Sequence, residues 1–259
     1  MAAIFGWHGI SLQHPEDWAP VALSGDRKSG YARLASPRTL SLQLRWAPAG
    51  SESLRRALDR YLDRLSRDSR KAKGKFSREV VDDSGLLRYK YRGELDGDGV
   101  LFPTNDGRVA FLEAVGDSPT ARRRHLDHAH ATFHASGERW SVLGLDFTLP
   151  APLRVEAKEF LAGRTTLKLL GRGVHVTGER WGLAESLLAQ QSLSEWAAAR
   201  LGRGWTVTED GPGLMATRKS MLATETALVL DQRANKNQVT LLRVRSRRET
   251  WRPTWDWLT

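Results

Sequence analysis

One short pattern recurs along the chain, and it constrains the fold more than any composition figure. Gly9-Ile10-Ser11-Leu12-Gln13-His14-Pro15 is echoed 135 residues later by Gly144-Leu145-Asp146-Phe147-Thr148-Leu149-Pro150. Each segment alternates along its length and stops at a proline, the pattern of a short strand with one buried face. Trp7 or Trp140 precedes each. Leu23-Ser24-Gly25 then matches Leu161-Ala162-Gly163, Arg45-Trp46 matches Arg180-Trp181, and Gly85-Leu86-Leu87 matches Gly213-Leu214-Met215. Val109–Val115 and Val239–Arg245 close the series, with offsets held between 128 and 138. An ordered set of matches at one period points to a tandem duplication. The expected domains are a first α+β repeat over 1–137 and a second over 138–259. The junction, Ala135-Ser136-Gly137-Glu138, has no Pro/Gly/Ser tract, so the halves are expected to pack together.

Within the first half, strands are expected at Gly9–His14, Ala19–Leu23, Gly30–Ala35 and Thr39–Trp46. A helix opened by Ser51-Glu52-Ser53 follows, with Ser51 as its cap, and runs to about Arg70. Leu54, Leu58, Tyr61, Leu62 and Leu65 give it one apolar stripe at helical spacing. Further strands lie near Phe76–Val81, Leu86–Arg92, Gly99–Phe102 and Arg108–Val115, and a helix over Pro119–His134 turns Leu126, Ala129 and Phe133 inward. The second half places its helix near Leu183–Leu201 and ends in a Trp-rich stretch, Trp251–Leu258. Runs of strands broken by single helices predict antiparallel α+β layers. The expected fold class is therefore α+β: a tandem duplication of an antiparallel β-sheet domain flanked by helices.

Composition removes several classes of function. The 259 residues include no cysteine, which excludes a disulfide scaffold, a Cys-based zinc site, a thiol nucleophile and an iron–sulfur protein. No apolar run approaches the roughly 18 residues of a membrane helix. Met1–His8 lacks a basic segment leading into a long apolar one, so a cytoplasmic protein is expected. The net charge is +10, shared as +5 by each half, and 31 arginines outnumber 9 lysines. Arginine forks onto phosphate or carboxylate; a GC-rich genome produces the same bias.

Ile10-Ser11-Leu12-Gln13-His14-Pro15-Glu16-Asp17-Trp18 resembles the opening of Mog1/PsbP-like domains, in which an apolar strand runs into proline with a tryptophan downstream. The order of strands, helix, meander and closing helix is also similar. The resemblance implies two α/β/α sandwiches in tandem and a non-enzymatic role, binding a protein partner such as a small GTPase or a photosystem subunit. The second half departs from the pattern, since Ala151-Pro152-Leu153 follows Pro150 without a tryptophan. No functional residue is carried over.

Three clusters are candidates for chemistry. On a continuous helix Asp127, His130 and His134 share one side, a spacing that suits a divalent metal; a polar helix face is the plainer reading. Arg56, Arg60, Arg64, Arg67 and Lys71 form a basic stripe that continues into Lys73 and Lys75, able to track a phosphate backbone. Pairs at Glu52–Arg56, Asp63–Arg67 and Arg64–Asp68 would instead make it a solvated face. Trp251, Trp255 and Trp257 crowd the C-terminal stretch, where Trp251 and Trp255 share a helical face, as a partner-binding patch or a docked end. Trp7, Trp46, Trp140 and Trp181 fall at repeated positions and read as packing. No phosphate loop, dinucleotide fingerprint or nucleophile elbow is present. Asp96-Gly97-Asp98-Gly99 reads as a hairpin turn.

The first functional expectation is a non-enzymatic binding or accessory protein that engages a protein partner or larger assembly. The alternative is nucleic-acid or ribonucleoprotein binding through the Arg-rich helix 55–75. A metal-dependent enzyme ranks last, and no cofactor is expected.

Overall fold

A computed structural model describes residues 2–37, 39–219 and 223–258. The chain divides into two compact units, Met1–Phe5 with Gly9–Ser136, and Gly6–His8 with Gly137–Thr259. The order begins with β1 (Ala2–Trp7), β2 (Ile10–Pro15), β3 (Ala19–Gly25), β4 (Gly30–Ala35), β5 (Ser41–Pro48) and α1 (Leu54–Lys71). Then come β6 (Ser77–Asp83), β7 (Leu86–Arg92), β8 (Gly97–Pro103), β9 (Arg108–Val115) and α2 (Pro119–Ala131). The first unit is built on a seven-stranded antiparallel sheet of order β3-β4-β5-β9-β8-β7-β6. β9 sits at its centre, so its alternate residues are buried from both sides of the sheet.

The second unit holds β10 (Arg139–Val142), β11 (Leu145–Thr148), β12 (Arg154–Leu161), β13 (Arg164–Gly171) and β14 (Val174–Gly182). These are followed by α3 (Ala184–Leu187), α4 (Leu193–Leu201), β15 (Thr206–Asp210), β16 (Gly213–Lys219), β17 (Thr224–Gln232), α5 (Arg233–Lys236) and β18 (Gln238–Ser246). Its sheet also has seven antiparallel strands, in the order β12-β13-β14-β18-β17-β16-β15. That order repeats the first sheet strand for strand. A smaller antiparallel sheet contains the β10–β11 hairpin, with Gly6 of β1 paired to Ser141.

The expected α/β/α sandwich flanked by helices is corrected by these observations. Strands hold 50% of the residues and helices 21%, in three antiparallel sheets, so the protein is mostly β. The physical reason lies in the segments read as helical. Leu183–Leu201 breaks in two: α3 ends at Leu187, and Ser192 recaps the chain through a capping box with Glu195. Pro119–His134 stops at Ala131. Trp251–Leu258 forms only two 3-10 turns, Glu249–Trp251 and Trp255–Trp257, since Pro253 between them lacks the amide hydrogen a helix requires.

α1 is the one long helix among the described residues. Its cap is Ser53, which accepts a hydrogen bond from Arg56 N, and not Ser51. Its apolar stripe buries Leu58, Tyr61 and Leu62 against Leu87, Tyr89, Tyr91 and Leu101 of the sheet. In the second unit α3 and α4 carry Leu188, Trp196 and Leu201 onto Leu214, Val229, Val239 and Leu241. Among the described residues no helix is long and apolar enough to cross a membrane.

Candidate functional site

The α1 face of the first unit brings a buried polar network and an open groove together at Tyr61. Glu113 lies on β9, almost fully buried. Its neighbours across the sheet are Gln43 of β5 and Gly99 of β8. Tyr89 and Tyr91 alternate on β7 and so share one face; they pair with Gly99 and Gly97. Strands lie about 4.8 Å apart, so a tyrosine on β7 reaches a carboxylate on β9 only by lying flat across β8. The glycines make that possible: a Cβ at Gly99 would stand 2.2 Å from the Tyr89 ring, and one at Gly97 would stand 2.4 Å from the Tyr91 ring. Asp96–Gly99 is therefore no hairpin turn; Gly97 onward is strand, and its glycines are the floor under two rings.

The tyrosines converge on the carboxylate. Tyr89 donates to Glu113 Oε2 at 3.0 Å, Tyr91 donates to Oε1 at 3.1 Å, and Tyr61 from α1 donates to Oε2 at 3.0 Å. Arg45 of β5 donates to the Tyr61 hydroxyl at 3.3 Å and to Gln43 at 3.0 Å, and Tyr31 of β4 donates to the same Gln43 oxygen at 3.1 Å. All four tyrosines of the chain thus belong to one network. Burial raises the Glu113 carboxyl above its ordinary value, with Arg45 and the three hydroxyls opposing the rise. Burial also lifts the hydroxyls of Tyr61, Tyr89 and Tyr91, and the Glu113 charge adds to it. Three hydroxyls occupy the Glu113 carboxylate. What it does is pin α1 to the sheet through Tyr61.

Tyr61 is also a wall of the groove beside α1. This cavity of about 850 Å³ has an apolar floor of Leu54, Ala57, Val109 and Phe111, and Arg60, Arg64 and Arg67 along its helical rim. The Arg64 guanidinium lies 5.6 Å from the Tyr61 ring centre. The carboxylate on this rim is Glu52, 2.7 Å from Arg60.

Arg56, Arg60, Arg64, Arg67, Lys71, Lys73 and Lys75 are all exposed. The first five lie on α1; Lys73 and Lys75 follow its end. The ion pairs differ from those the helical spacing predicts. Asp59 pairs with Arg55, Glu52 with Arg60, Asp68 with Lys71, and Asp63 reaches across to Arg78 at 2.7 Å.

Asp127, His130 and His134 are not brought together. α2 ends at Ala131, so His134 lies beyond it, where its backbone bridges to Ser11. Asp127 accepts a hydrogen bond from Arg88 at 2.9 Å, and the His130 ring packs edge-on against Phe102. Among the described residues no group of three or more His, Asp or Glu is placed to hold a metal.

The C-terminal tryptophans do not share a helical face. Trp251 is buried and meets Trp257 edge-on, with ring centres 6.0 Å apart. Trp255 is partly buried and donates to Asp210 at 3.2 Å. Of the repeated tryptophans, Trp7, Trp46 and Trp140 are at most 2% exposed, while Trp181 is partly buried.

Sequence reading missed the Glu113 network. Its signal was the alternation Tyr89-Lys90-Tyr91 beside a strand opening Gly97-Asp98-Gly99, aromatic residues opposite positions with no side chain. The chain matches no family model, no curated protein and no solved structure.

Proposed function

We propose that this protein is a non-enzymatic binding protein, acting in the cytoplasm, that engages an acidic segment of a protein partner through the α1 groove of its first unit. The observation that carries the reading is the pairing of an apolar floor with three rim arginines. Leu54, Ala57, Val109 and Phe111 offer burial to a partner's apolar side chains. Arg60, Arg64 and Arg67 offer forked contacts to its carboxylates. The Glu113 network holds the Tyr61 wall in place, which lowers the ordering cost of binding.

Nucleic-acid binding is the second reading, favoured by the exposure of all seven basic residues from Arg56 to Lys75. The apolar floor argues for the peptide: a nucleic acid uses open aromatic faces for stacking, and Tyr61 is 8% exposed.

Fluorescence anisotropy on the full chain separates the two. The probes are a labelled peptide with Glu and Leu at helical spacing and a single-stranded RNA of equal charge. The peptide is expected to bind, and the triple variant R60E/R64E/R67E to weaken it by about tenfold or more. Preference for the RNA, with a steep loss on adding salt, would replace the first reading by the second.

A further inference from the structure

The second unit carries its own cationic cavity, which among the candidate binding residues of the sequence includes only Trp251. Register places Thr217, Thr226 and Val244 in one row across β16, β17 and β18, and Lys219, Thr224 and Ser246 in the next row. Directly paired residues share a face, and residues two apart on a strand do so again. Four hydroxyls and one ammonium therefore point the same way. The chain that leaves β18 turns back over them, bringing Arg247, Arg248 and Arg252. A cavity of about 500 Å³ lies between, with Trp251 as an aromatic wall and Glu249 as its one carboxylate.

Thr226 and Ser246 are buried polar residues on the cavity floor. Ser246 accepts a hydrogen bond from Arg248 N at 3.0 Å, which ties the arginine-bearing turn to the floor. The nearest strand acid, Glu225, falls between Thr224 and Thr226 and so points to the opposite face, where Arg218 holds it at 2.8 Å. It does not neutralise the cavity. Four cations against one acid, above a floor of hydroxyl donors, match a tetrahedral oxyanion. The volume falls within the range of small-molecule sites, roughly 300–1,000 Å³, larger than a bare phosphate ion needs.

We infer that this cavity binds a small organic phosphate, with Lys219, Arg248 and Arg252 on the phosphate groups and the organic part in the volume that a bare phosphate would leave unfilled. The site is independent of the α1 groove.

The test is calorimetric titration of the full chain with adenosine triphosphate and with tripolyphosphate. The nucleotide is expected to bind one per chain and more tightly than tripolyphosphate. The double variant R248A/R252A is expected to weaken it at least tenfold, with unchanged thermal melting because both side chains are exposed. The variant R60A/R64A on α1 is expected to bind as the parent does. Absence of binding at low salt overturns the inference. So does binding that R248A/R252A leaves intact and R60A/R64A removes. Equal affinity for the two probes overturns the organic part.

Discussion

The two seven-stranded sheets share one strand order, yet they place opposite charges at corresponding positions. Arg45 pairs with Phe111 in the first sheet; Glu179 pairs with Leu241 in the second. Two residues along the central strand, Glu113 stands where the second sheet has Arg243, opposite Gln43 and Thr177 respectively. On the neighbouring strands the first unit has Tyr89 over Gly99, where the second has Ala216 opposite Ala227. It has Tyr91 over Gly97, where the second has Arg218 paired to Glu225. The first unit thus encloses one carboxylate in hydroxyls. The second spreads its charges into ion pairs that reach solvent: Arg200 grips Glu179 at 2.9 and 2.7 Å with its side chain 38% exposed. The same backbone supports both solutions because the polar side chains are chosen row by row. The enclosed version leaves a rigid wall beside an open groove.

The sharpest way to break this contrast is to remove each carboxylate in turn. Glu113→Ala leaves the hydroxyls of Tyr61, Tyr89 and Tyr91 without their acceptor in the core, and is expected to cost about 3–5 kcal/mol. Glu179→Ala frees an arginine that water can solvate, and is expected to cost about 1–2 kcal/mol. Denaturant unfolding separates the two, because every tyrosine lies in the first unit and eight of the ten tryptophans in the second. Tyrosine absorbance follows the first variant and tryptophan fluorescence the second. Equal costs would remove the distinction.

The glycine floor gives the next largest effect. Gly99→Ala drives a methyl into the Tyr89 ring and is expected to destabilise by roughly 1–3 kcal/mol. Ala227→Gly, its counterpart, is expected to cost about 1–2 kcal/mol without any clash, from the backbone entropy of glycine and the loss of one buried methyl.

A smaller, pH-dependent difference should follow. The Glu113 carboxyl is raised in the folded chain above its ordinary 4.5. Its contribution is therefore full below that value and is lost as pH rises through the raised one, with a slope no steeper than about 1.4 kcal/mol per pH unit. Glu113→Gln should flatten the pH profile of tyrosine-detected unfolding. A profile that keeps its slope in the variant assigns it to another group.

The smallest effect belongs to the C-terminal turn. Trp255→Phe loses the bond to Asp210 and should cost about 1 kcal/mol, read by tryptophan-detected unfolding.

Part of this was legible in the sequence. The stripe Leu54, Leu58, Tyr61, Leu62 and Leu65 announces the face that α1 buries or half-buries, because helical periodicity is a local signal. The matched segments Val109–Val115 and Val239–Arg245 both fall on central strands, β9 and β18. The match of Arg45-Trp46 to Arg180-Trp181 misleads by one residue. In the sheets Trp46 pairs with Ala110 but Trp181 pairs with Val239. A slip of one reverses the face of a strand residue, so Trp46 and Trp181 point to opposite sides. The Glu113 network was not legible, since its tyrosines come from 52, 24 and 22 residues away. The proposed metal set failed for a simpler reason: α2 ends at Ala131, so His134 leaves the helical face of Asp127 and His130 and its backbone bridges to Ser11 instead.

Hydrogen exchange of the full chain, with and without the Glu/Leu peptide, tests the proposed binding site most directly. Slower exchange is expected in Leu54–Lys71 and at the groove-lining ends of Ser41–Pro48 and Arg108–Val115, with the second unit unchanged. Exchange that stays the same across those three segments, or slows only elsewhere, would contradict the account.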